Sequence, residues 1–69
     1  MRDKDELLLL LLKRYPKLND FMLEKILDIY ATEGAWVDYN CESNIVVMWD
    51  EKLKKLLYIS EDEISYEDY

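Results

Sequence analysis

Histidine is absent from this chain, and cysteine, glycine and proline occur once each. Each scarcity removes a class of chemistry. Without His there is no Ser-His or Cys-His nucleophile pair and no His-ligated haem. A lone Cys forms no internal disulfide, and one Cys without His cannot build a zinc site. One Gly leaves no glycine-rich phosphate loop. The chain therefore reads as non-enzymatic, with no cofactor and no metal. The usual staples of a small scaffold are missing too. A domain of 69 residues buries only about 60% of the surface its unfolded chain exposes, so it must rely on packing, within itself or against a partner.

What is present is the mixture of a folded domain, 51% hydrophobic beside 36% charged residues. The run from Leu7 to Leu12 is flanked by Asp5, Glu6, Lys13 and Arg14. It falls far below the roughly 20 apolar residues of a membrane span. No small-residue cleavage pattern follows it. The expectation is a soluble cytoplasmic protein without a membrane partner.

Charge is unevenly placed. Residues 1–60 hold eleven acids against nine bases, while residues 61–69 hold five acids and no base, so the last nine positions carry −5 of the net −7. A second acid-only window contains Glu33, Asp38, Glu42, Asp50 and Glu51. Direct nucleic-acid binding is not expected, because affinity for phosphates depends on Lys and Arg displacing counterions.

Periodicity predicts two helices and then strands. Asp3 offers an N-cap with Glu6 three residues on, for a helix from about Lys4 to Arg14 that ends at Tyr15-Pro16. Asn19 caps a second helix with Leu18 placed to pack back on Leu23. Its inner stripe is Leu23, Ile26, Leu27 and Tyr30, widened by Met22 and Ile29. Gly34 is read as a left-handed terminator. Ala35 to Tyr39 and Ile45 to Trp49 read as strands joined by a turn. Lys55 to Ile59 reads as a third strand, with a helix capped by Asp50 and burying Leu53, Leu56 and Leu57 as the alternative. The fold class is then α+β: an N-terminal antiparallel helical hairpin packed on a three-stranded antiparallel β-meander. Residues 1–60 form the domain and 61–69 an acidic C-terminal tail.

This fold has more apolar faces than it can cover. Six successive Leu surround the first helix, and strand alternation separates Ile45, Val47 and Trp49 from Val46 and Met48, and Leu56 and Tyr58 from Leu57 and Ile59. Leu8, Leu11, Val46, Met48 and Leu57 are the residues expected to mediate self-association, most simply as a homodimer. The acids and tyrosines Glu61, Asp62, Glu63, Tyr66, Glu67, Asp68 and Tyr69, joined by Asp38 and Glu42, are the expected face for a protein partner with a basic surface. Five charges over about 30 Å of extended tail are sparser than the phosphates of a DNA strand, so the tail alone is a poor copy of one. Cys41 lies beside Glu42 without a nearby base and reads as an inert thiol. The pairs Asp3/Asp5 and Glu61/Glu63 lack the Gly and terminal Glu of a calcium loop.

A helical hairpin followed by a β-hairpin over roughly residues 4 to 60 is similar in element order to winged-helix domains. That resemblance implies a structural or regulatory dimerisation module whose apolar face is functional. The exposed Asp20, Glu24 and Asp28 of the second helix, with only Lys25 opposing them, do not suit a DNA-recognition helix. In size and composition the chain also resembles the small acidic inhibitors encoded by phages and archaeal viruses. That likeness implies binding, and inhibition, of a basic nucleic-acid-binding protein.

Overall fold

A computed structural model describes residues 4–68, which form helices α1 (Lys4–Arg14) and α2 (Asp20–Ala31) and strands β1 (Ala35–Asn40), β2 (Ile45–Asp50), β3 (Lys55–Ile59) and β4 (Ile64–Asp68). Asp3, expected to cap α1, lies outside the described residues. Asp5 and Glu6 occupy the first turn of α1 and Lys13 and Arg14 its last, an order that favours the helix dipole. Asn19 caps α2 as expected, its side-chain oxygen accepting from the Met22 N–H at 2.9 Å.

The far end of α2 works differently from the expectation. Glu33, not Gly34, takes the left-handed conformation, with φ 69°. The Gly34 N–H donates to the Ile29 carbonyl at 2.8 Å and closes a Schellman-type turn. Gly34 is needed for closeness instead: a Cβ there would sit 2.3 Å from Ile29 Cγ2 and 2.8 Å from the Trp49 carbonyl oxygen. The helix end is thus pressed against β2 where a side chain has no room.

The strands form one antiparallel meander in the order β1-β2-β3-β4. The expected third strand is present, and Asp50 serves a turn, its side chain accepting from the N–H groups of Lys52 and Leu53. Asn40 does the same for Glu42 and Ser43. Each of these two turns ends on a residue with positive φ, Asn44 and Lys54. The three-stranded expectation is corrected to four strands, because residues read as a tail supply β4, paired with β3 from Ile59↔Ile64 to Lys55↔Asp68. Its acids do not oppose this, since an edge strand keeps one side in water and charge there discourages further pairing.

Helices cover one face of the sheet. The α2 helix packs across β1, β2 and β3, and α1 lies against α2. Met22, Ile26, Val46, Met48, Leu57 and Ile59 are wholly buried between the layers, with Leu11, Leu18 and Leu23 completing the core. Each such side chain stabilises the fold by about 1.5–3 kcal/mol. Leu11, Val46, Met48 and Leu57, expected to mediate self-association, are therefore core residues, and Leu8 packs at the edge of the same core. Alternation divides each strand into two apolar sets but does not say which one meets the helices. On α1 the outward leucines are Leu9, Leu10 and Leu12, with Leu9 69% exposed.

Candidate functional site

The set that alternation left unassigned forms the uncovered face of the sheet. Register places Asp38, Val47, Tyr58 and Ser65 in one row across the four strands and Ala35, Trp49, Leu56 and Glu67 in the next. Ile45 stands beside Asn40 at the end of the face. Ile45, Val47, Trp49, Leu56 and Tyr58 are each half-buried, and none belongs to the core cluster or packs against it. They form an apolar band along the two central strands.

Every charged side chain that the strands place on this face is an acid. Asp38 stands on β1 and Glu67 on β4, one at each border of the band. Asp38 forms no ion pair among the described residues. The Tyr58 hydroxyl donates to Glu67, and that bond raises the Tyr58 pKa above its ordinary value. In the adjoining turn Glu51 accepts from the Lys54 ammonium and, at 2.7 Å, from Trp49 Nε1. These two bonds hold the Glu51 carboxyl below the usual range, so it keeps its charge as pH falls. Lys55, the one base within the strands, stands opposite Asp50 and Asp68 on the other side and pairs with Asp68 at 3.1 Å. Trp49 is fixed by its bond to Glu51, and Trp and Tyr are favoured interface anchors.

The expected acidic face does not come together as one surface. Asp38 and Glu67 border the open face. Glu42, Glu61, Asp62 and Glu63 lie in the turns at one end of the sheet. Glu61 is structural: its carboxylate accepts from Asn44 Nδ2 at 3.2 Å and its backbone carbonyl from Asn19 Nδ2 at 2.9 Å. Asn44, buried to 6% exposure, also donates to the Lys17 carbonyl at 2.9 Å and accepts from the Tyr39 hydroxyl at 2.7 Å. Two sheet turns are thereby tied to the α1–α2 connection. Tyr66 and Asp68 are on the helix side of β4, where Tyr66 pairs with Leu57 yet stays 52% exposed. Tyr69 lies outside the described residues.

Cys41 is an exposed free thiol. Among the described residues no three His, Cys, Asp or Glu side chains are grouped to hold a metal ion, and no helix is long and apolar enough to cross a membrane. No family model, no curated protein and no solved structure matches this chain.

Proposed function

We propose that this protein is a non-enzymatic binding module whose uncovered sheet face docks a protein partner bearing apolar side chains bordered by Lys or Arg. The observation that carries this reading is the band of Ile45, Val47, Trp49, Leu56 and Tyr58 between the acids Asp38 and Glu67. Apolar area of this kind on a folded domain marks an interaction surface. Its border selects the sign of the partner, since opposite potentials favour encounter and like charges penalise wrong pairings. A second copy is the less favourable occupant, because it brings two acid-only faces together in a chain of net charge −7. Engagement of this face would let the module occupy, and so inhibit, a basic functional surface of its partner.

A synthetic peptide of alternating Leu and Lys, titrated while Trp49 fluorescence is followed, tests the reading. Binding is expected to weaken as salt rises. It should fall about tenfold or more for Val47→Asp, which puts a charge into the apolar band. A Leu-Glu peptide should bind far more weakly. Equal affinity for the two peptides, or no effect of Val47→Asp, overturns the proposal. So does a concentration-dependent dimer that Val47→Asp dissociates.

A further inference from the structure

Away from the open face, where the α1–α2 connection meets β1 and its following turn, the chain forms an open-mouthed cavity of about 410 Å³ lined by Arg14, Tyr15, Pro16, Lys17, Tyr39 and Cys41. That volume falls within the range of small-molecule sites, roughly 300–1,000 Å³. Its composition inverts that of the molecule. In a chain with sixteen acids and nine bases, the lining carries two bases and no carboxylate. Arg14 and Lys17 form no ion pair among the described residues, and Lys17 Nζ makes only a long 3.4 Å contact with the Cys41 carbonyl. Cations at the end of α1 suit the helix dipole wherever they point. The dipole does not account for a second cation beyond Pro16, or for an aromatic wall between them.

That wall is ordered before any ligand arrives. Tyr15 stacks on Trp36 with centroids 5.3 Å apart and planes inclined by 21°, and meets Tyr39 edge-on at 5.0 Å and 65°. Tyr39 is held from its far end by the hydrogen bond it donates to Asn44. Partial burial, then the neighbouring Cys41 and Tyr15, keep the Tyr39 pKa above its ordinary value, so that ring stays uncharged. Two fixed rings beside two uncommitted cations match one shape of ligand.

We infer that this cavity is a binding site for a small planar aromatic anion, a single ring bearing a carboxylate or phosphate. The ring lies against Tyr15 and Tyr39, and the anionic group meets the guanidinium of Arg14 and the ammonium of Lys17. Arg supplies a planar fork of donors and Lys a mobile point charge, a combination that accepts either anion. The site is separate from the open sheet face and stands or falls independently of it.

Amide NMR shifts of the whole chain, followed during titration with phenyl phosphate, test the inference. Inorganic phosphate serves as the control for charge and benzyl alcohol as the control for the ring. Phenyl phosphate is expected to shift Arg14 to Lys17, Trp36, Tyr39 and Cys41, and to bind at least about fivefold tighter than either control. Arg14→Gln and Lys17→Gln should each weaken it about fivefold, Lys17→Gln with the melting temperature unchanged. Val47→Asp, on the other face, should leave it unaltered. Affinity equal to that for inorganic phosphate overturns the inference, as do shifts spread over the surface or indifference to both Gln variants.

Discussion

Val46, Met48, Leu57 and Ile59 on one face of the sheet, and Ile45, Val47, Trp49, Leu56 and Tyr58 on the other, come from the same two strands and alternate residue by residue. The first set is buried almost to zero exposure and the second is only partly buried. Hydrophobicity does not separate them, since Val46 and Val47 are the same amino acid. What separates them is the side on which α2 lands, and two features outside those strand positions bear on that. Gly34 admits the end of α2 against the Trp49 carbonyl, and Asn44 ties the opposite turns to the α1–α2 connection. A polar side chain and a missing one help set which apolar set becomes core and which becomes surface.

Neighbouring leucines give the largest expected contrast. Leu57→Ala removes a side chain 1% exposed and should cost about 2–5 kcal/mol in urea denaturation. Set against about 0.05–0.15 kcal/mol per residue for a typical domain, that is much of the total. Leu56→Ala, one position along and facing outward, should cost less, about 1–2 kcal/mol, because its side chain is only partly buried. Similar losses at the two positions would mean that the outward face is covered in solution.

The polar tie ranks next. Asn44→Ala leaves the Lys17 carbonyl, the Glu61 carboxylate and the Tyr39 hydroxyl each short of a partner, and should destabilise by about 1–3 kcal/mol. Hydrogen exchange should accelerate first in the turns at 41–44 and 60–63 and in the α1–α2 connection, while β2 and β3 stay protected. Uniform acceleration would instead show that the tie has no local role in holding the helices to their side.

Both helices and the first two strands are legible from local signals such as the Asn19 cap, the Tyr15-Pro16 stop and the β-branched run from Ile45, while the segment of β3 reads as strand or helix. The fourth strand was hidden by Glu67 and Asp68. An edge strand is specified by its neighbour more than by its own hydrophobicity, and only Ile64 and Tyr66 hinted at alternation. The partition of β2 and β3 into two faces is also legible, yet its sign is not, so Val46, Met48 and Leu57, expected at the surface, are core, and Ile45, Val47, Trp49, Leu56 and Tyr58 take the open face. Glu61 shows the same limit for charge. An acid in an acid-rich stretch reads as solvated, but its partners Asn19 and Asn44 are 42 and 17 residues distant. The cavity beside Tyr15 was invisible for the same reason, because Arg14 and Lys17 meet Tyr39 and Cys41 only once β1 is folded against the connection.

The smallest expected change is the most discriminating. Val47→Thr keeps the β-branched shape and replaces a methyl with a hydroxyl on the side of the sheet that the helices leave open, so stability should stay within about 0.5 kcal/mol of wild type. The same substitution at Val46 buries that hydroxyl between sheet and α2, and should cost about 1–3 kcal/mol unless it finds a partner. The reading of Val47 as a binding residue then demands a second outcome: Val47→Thr should weaken the Leu-Lys peptide a few-fold while leaving the urea midpoint in place. Weakened binding at an unchanged midpoint separates surface chemistry from folding. A midpoint shift as large as that of Val46→Thr would show instead that both faces of the sheet are interior.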